Sequence, residues 1–333
     1  MSDRLRMSLS LDLDNKWSYL KTRGSEAWVD FPSYLDLVVP RILKFLADRN
    51  LKITFFIVGQ DAVLEKNREA FARLAAAGHE IANHSFNHEP WLHLYSEEDL
   101  NGELQKAEEA IESATGQRVH GFRGPGFSIS ETTLRVLQQR GYDYDATAFP
   151  NILNPLARAY FFATSNLSEE EKERRKALFG SFSAAFRPVK PYRWRLDDQS
   201  LIELPVTTMP IFKTPIHFSY LIYLASYSRI MARLYLRMAI KVCHLTRTEP
   251  SLLLHPLDFM GVEDDSDLSF FPAMTMPLME KLELMDGFID LLVQNFESVT
   301  MGEHVRSIKA DISLRDYRLT FSHWSILRST HHE

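Results

Sequence analysis

The chain is 333 residues long, 45% hydrophobic and 25% charged, with ample apolar material for a packed core, which sets disorder aside. Its net charge of −6 gives no basic field to attract nucleic acid. The lone cysteine, Cys243, excludes an internal disulfide and any cysteine-based zinc cluster.

The N-terminus passes from charged residues straight into a short run holding Asp12, with no apolar stretch of signal-peptide length. Together with the single cysteine this reads as a cytoplasmic protein in a reducing compartment. Short β-branched or apolar runs then alternate with helical patterns, the mark of βα units around a parallel sheet. Strands are expected at 7–13, 51–59, 78–85, 119–125, 142–149, 201–208, 250–256 and 296–301. Helices are expected at 32–50, 61–77, 96–115, 130–140 and 275–295, where apolar residues recur at helical spacing. The rhythm breaks between Pro150 and Arg195. That stretch reads as an insertion in a βα loop, either a lid over the mouth of the sheet or a plain decoration. No run of about 18 uncharged apolar residues is present, so no transmembrane helix is expected.

The first strand ends in "DLD". Side chains alternate along a strand, so Asp12 and Asp14 share one face, with Cα atoms roughly 6–7 Å apart, while Leu11 and Leu13 share the other. Such a pair suits a metal site, one carboxylate binding the ion and the other reaching a water bound to it. It also suits a strand end with two solvated aspartates. "HSFNH" narrows the choice, because His84 and His88 are spaced so that both rings reach one ion. With Asp14 they complete a set of two imidazoles and one carboxylate that leaves positions open for water and substrate, a hydrolytic arrangement.

Four motifs in order, "DLD", "HSFNH", "FRGPGF" and "LLLHP", span residues 12–255 and resemble those of the NodB-type polysaccharide deacetylases, carbohydrate esterase family four, in an Asp-x-Asp variant of the first motif. The resemblance implies a distorted (β/α) barrel of about seven strands over residues 1–310, with 311–333 as a C-terminal tail. It makes Asp12 the general base. Asp14, His84 and His88 become ligands of a divalent metal, Zn²⁺ by ligand type, with Co²⁺, Ni²⁺ and Mn²⁺ compatible. His255, at a strand's C-terminal end, becomes the proton donor to the departing amine. Arg123 is read as the guanidinium that orients Asp12, with Asp145 or Glu203 as its own counter-ion. The chain departs from the family pattern in three places. Leu13 separates the first-motif acids, Gly126 stands before Phe127 where the family usually has an aromatic before its glycine, and the acidic, tryptophan-containing fourth motif has no match.

The stretch 217–247 reads as one long helix. Arg229, Arg233, Arg237 and Lys241 fall at intervals of four and form a basic stripe on a segment rich in Tyr, Leu, Ile and Met. A helix of this kind lies on an anionic membrane surface, or forms the outer layer of a barrel. The expected function is hydrolysis of an N-acetyl group on an amino sugar of a polysaccharide, oligosaccharide or lipid-linked glycan precursor. The alternatives are deformylation of a lipid-linked aminosugar, opening of a small cyclic amide, and binding of sugar or membrane without catalysis.

Overall fold

The computed structural model describes residues 4–153, 185–196, 199–309 and 314–318. Strands form at Arg6–Asp12 (β1), Thr54–Ile57 (β2), Glu80–Asn83 (β3), Gly121–Phe122 (β4), Tyr144–Asp145 (β5), Tyr192–Leu196 (β6), Gln199–Glu203 (β7), Ser251–Leu254 (β8), Glu297–Val299 (β9) and Asp316–Tyr317 (β10). The helices are Lys16–Arg23 (α1), Leu35–Ala47 (α2), Gly59–Ala62 (α3), Arg68–Ala76 (α4), Glu97–Thr115 (α5), Glu131–Gln139 (α6), Phe218–Tyr227 (α7), Arg229–Thr246 (α8), Leu278–Asn295 (α9) and Met301–Lys309 (α10). The strands join one sheet in the order β10-β6-β7-β5-β4-β3-β2-β1-β8, with β9 pairing on β1.

From β7 across to β8, seven neighbouring strands run parallel, as the alternation of strands and helices requires. Among the described residues no ladder joins β8 back to β7. The ring is drawn together just beyond β7, where Thr207 N–H donates to Ser251 O at 2.8 Å and Ser251 N–H donates to the Thr207 hydroxyl at 2.8 Å. One residue pair thus stands where a regular barrel has a full strand pairing, which is the distortion.

The period-two alternation divides β1 cleanly. Met7, Leu9 and Leu11 enter the large core between sheet and helices, whereas Ser8, Ser10 and Asp12 face the barrel interior. In register with them inside lie Phe56 of β2 and Leu253 of β8, in two small apolar clusters with Ala82, Tyr144 and Val206. Polar side chains on β1 are therefore tolerated only where they find partners across the barrel.

Three features differ from the sequence expectation. The helix expected at 61–77 is two pieces, α3 and α4, separated by a 3₁₀ turn at Glu65–Asn67. The long helix expected at 217–247 breaks at Ser228, whose φ of −160° and ψ of 110° are extended and whose hydroxyl caps Met231 N–H at 3.3 Å. Strand β6, antiparallel to β7, was not anticipated, and Asp316–Tyr317, from the stretch read as a tail, pair with it. Residues 154–184, most of the expected insertion, and residues 319–333 of the expected tail lie outside the described residues.

Candidate active site

Asp12 closes β1, and Asp14 lies two residues on, in the loop that leaves the sheet. That loop is fixed by a buried polar cluster. Asn15 caps α1 by accepting from Lys16 N–H at 2.8 Å and donates to Asp61 at 2.7 Å, Trp17 Nε1–H donates to the same Asp61 oxygen at 2.9 Å, and the Tyr34 hydroxyl donates to Asp14 O at 2.5 Å. Burial pushes the Asp61 carboxyl up to about 7 even though these donors favour its charged form.

The "HSFNH" segment leaves β3 as a loop with two left-handed residues, Ser85 at φ 65° and His88 at φ 52°. One buried side chain holds it. Glu103 of α5 accepts from Phe86 N–H at 3.0 Å, Asn87 N–H at 2.6 Å and the Asn87 amide at 2.7 Å. On the other side Gly59 and Gln60 donate to the carbonyls of Ser85 and Phe86. A Cβ on Gly59 would stand 2.7 Å from the Phe86 ring and 2.8 Å from Ala107 Cα, so only glycine lets α5 and the loop close together.

These loops bring three ligand atoms together. Asp14 Oδ1 lies 2.9 Å from His88 Nε2 and 3.4 Å from His84 Nε2, and one ligand atom from each residue falls within 4.8 Å of the others. His84 Nδ1–H donates to Arg123 O at 2.7 Å, which fixes the tautomer and turns the Nε2 lone pair towards Asp14. Asp14 Oδ1 is buried with no hydrogen-bond partner. Burial opposes its charge; positive charge on His88 and His84 would lower the carboxyl well below the usual carboxylate range, the part a bound cation plays when both rings are neutral. A buried anionic oxygen with no hydrogen bond and two convergent imidazole nitrogens form a donor set that fits a divalent cation.

Asp12 is 4% exposed and does not join that set as closely, its Oδ2 standing 4.0 Å from His84 Nε2. Its Oδ1 accepts from Arg123 Nη1 at 2.6 Å. Arg123 is fully buried, donates also to Ser10 Oγ and Ala146 O, and lies 4.2 Å over the Phe56 ring. Its counter-ion is thus Asp12, which corrects the assignment to Asp145 or Glu203. Strand parity gives the reason. Asp145 is paired with Phe122 and with Glu203, and Phe122 belongs to the core on the helix side, so both acids leave the sheet on the face opposite Arg123. There Glu203 accepts from Ala148 N–H and Trp194 Nε1–H, and Asp145 accepts from the Thr147 hydroxyl.

His255 follows β8, whose Leu254 is in register with Leu11, so His255 stands level with Asp12 on the neighbouring strand. Its main-chain N–H donates to Asp258 Oδ2 at 2.8 Å. Ser219 of α7, which the sequence reading did not single out, gives its one hydroxyl proton to Asp258 Oδ1 at 2.7 Å, leaving its oxygen to accept from His255 Nδ1–H at 3.1 Å. The turn Pro256–Phe259 is held from below by buried Lys281, whose ammonium donates to the carbonyls of Leu257 and Met260. Tyr19, Ser219, Tyr220, Tyr223, Phe271 and His255 line a cavity of about 300 Å³. No pattern in "HFSY" or "HPLDF" announced this arrangement, because its parts lie 36 residues apart and meet only through the packing of α7 on β8.

The basic stripe is formed as expected, on α8 alone, with Arg229, Arg233, Arg237 and Lys241 all exposed. Arg229 is paired with Glu280 at 2.9 Å and Glu283 at 3.2 Å on α9. No helix of the described residues is long and apolar enough to cross a membrane.

The sequence model of the family "Polysaccharide deacetylase" matches residues 25–144, a span that holds His84, His88 and Arg123. The chain is 27% identical over 209 residues to a peptidoglycan deacetylase of Helicobacter pylori, covering 60% of this chain and 68% of that protein. Two further relatives are matched over 36% and 32% of their own length. In fold the chain is similar to a Mycobacterium smegmatis protein assigned as a polysaccharide deacetylase (TM-score 0.62, 20% identity, 97% of both chains). It is similar also to Puue allantoinase (TM-score 0.58, 16% identity, 92% of this chain and 91% of that one). The family match over residues 25–144, the shared fold and the order of the motifs make this chain similar to the polysaccharide deacetylases, hydrolases of carbon–nitrogen bonds other than peptide bonds.

Proposed function

We propose that the protein is a metal-dependent deacetylase that removes the N-acetyl group of an amino sugar in a glycan or glycan precursor. The observation that carries this reading is the convergence of Asp14, His84 and His88 on one point, with Asp12 beside them and outside the ligand set. Asp14, His84 and His88 would hold the cation, Zn²⁺ by ligand type, with Co²⁺, Ni²⁺ and Mn²⁺ accepted by the same atoms. When bound, such an ion lowers the pKa of water and polarises an acyl oxygen.

The chain's own residues account for the proton transfers. Asp12, held by Arg123, takes a proton from the water as its oxygen attacks the acetyl carbon. His255, oriented by Ser219 and Asp258, gives a proton from Nε2 to the sugar nitrogen as the carbon–nitrogen bond breaks. The products are acetate and the free amine. The apolar, basic face of α8 favours a lipid-linked precursor over a free polymer as substrate, and the buried, unpaired Cys243 agrees with a reducing, cytoplasmic compartment.

The test is acetate release from N-acetylated amino sugars by metal-loaded protein. Asp12→Asn preserves shape and the ligand set, so it should retain the ion while kcat falls by about 10²- to 10⁴-fold. Near-full turnover in that variant would remove Asp12 from the role of base. Formate release from a formylated sugar, with no acetate from its acetylated counterpart, would replace the deacetylase reading with a deformylase.

A further inference from the structure

The outward side of α8 is apolar. The helix buries Ala232, Leu236, Ala239 and Cys243 against the core, and an ordinary surface helix would turn a polar face to water. Here Ile230, Met231, Leu234, Met238 and Leu245 are 73%, 66%, 57%, 46% and 84% exposed. At helical spacing these positions fall within one arc centred near Leu234. The loop before α7 adds to it, since the Tyr235 hydroxyl of α8 donates to Pro215 O at 2.9 Å and accepts from the Thr214 hydroxyl at 2.6 Å, anchoring a turn whose tip exposes Ile211 (76%) and Phe212 (53%). Ile211 sits at φ 71°, a left-handed conformation that is costly for a β-branched residue.

Charge is segregated onto the same region. Residues 204–248 contain no aspartate or glutamate but carry Lys213, Arg229, Arg233, Arg237, Lys241 and Arg247, in a chain whose net charge is −6. Arg229 is neutralised by α9, whereas Arg233 and Arg237 border one side of the apolar arc, Lys241 lies within it next to Leu234, and none of the three has an ion pair among the described residues.

We propose that α8 and the Ile211–Phe212 tip dock the protein on an anionic lipid bilayer, the apolar arc entering the headgroup boundary and the three free cations meeting the lipid phosphates. Charge decides the occupant. A twofold contact with a second copy sets the same patch against itself and brings one basic row against the other, while an anionic surface complements it. The docking element is continuous with the active-site wall, because α7, joined to α8 at Ser228, carries Ser219 and Tyr223 into the cavity beside His255.

Co-sedimentation of the full chain with phosphatidylcholine vesicles, with and without phosphatidylglycerol, tests this without any turnover, so its outcome is separate from that of the deacetylase reading. Binding is expected to the phosphatidylglycerol vesicles at low salt and to weaken at least tenfold at high salt. Charge reversal at Arg233, Arg237 and Lys241 together, and separately Leu234→Glu, should each reduce it at least tenfold with an unchanged melting curve. The proposal is overturned if the wild type ignores anionic vesicles at low salt, or if Leu234→Glu binds them as well as the wild type. It is equally overturned if the chain elutes as a dimer that Leu234→Glu converts to a monomer, with no vesicle binding by either.

Discussion

Ser219 shows how a residue without chemistry of its own acts through a neighbour. Its single proton is committed to Asp258, so its oxygen is available to His255 Nδ1–H and leaves Nε2 as the free end of the ring. Ser219→Ala is expected to lower kcat about tenfold with KM unchanged, and Ser219→Thr to restore it; equal losses in both variants would mean a packing role. The buried acids on the far face of the sheet behave differently. Burial and the adjacent Asp145 raise Glu203 well above its ordinary value of 4.5, so the folded pair keeps a proton that the unfolded chain has released. Folding then takes up a proton above that value, and stability falls as pH rises. Glu203→Gln removes the titration but also one acceptor, since its amide nitrogen cannot accept from Ala148 N–H or Trp194 Nε1–H; against that constant loss the stability difference between wild type and variant should move in the variant's favour from about pH 5 to about pH 8 in thermal melts. A parallel course of the two curves would count against the shared proton.

At the scale of elements, the site is a set of loops at the C-terminal ends of parallel strands, and each loop is tied down from outside. For "HSFNH" the tie is Glu103, which alone satisfies two main-chain N–H groups and a side-chain amide. Glu103→Ala leaves the two main-chain groups buried and unpaired. It should cost at least about 2 kcal/mol of stability and weaken metal binding at least tenfold by titration calorimetry. Unchanged affinity would show that the loop holds its form without α5. What the sequence discloses follows the same division. The inward facing of Ser8, Ser10 and Asp12 was readable because strand alternation is local, whereas Asp14 lies past the end of β1 and is placed by the loop that follows. The partner of Arg123 was not, because β4 and β5 are two residues long and their parity is set by register with neighbours. The break at Ser228 was hidden since apolar spacing continues through it, and one extended residue with a hydroxyl to cap the next helix leaves no trace in the periodicity. Ser219 and Asp258 carry no motif and become functional candidates only when α7 is packed against β8.

At the scale of the molecule, seven parallel strands and the Thr207–Ser251 closure gather residues from near position 12, the eighties, 123 and 255 onto one rim. The central claim is that this gathering makes a site for one cation. Elemental analysis measures it directly, on chain stripped with a chelator, reloaded with Zn²⁺ and freed of excess by gel filtration. The account predicts a single ion per chain in the wild type and in Asp12→Asn, with a melting temperature raised by loading, and none retained in folded His84→Ala. A wild type that retains no ion, or a His84→Ala variant that retains as much as the wild type, would contradict it.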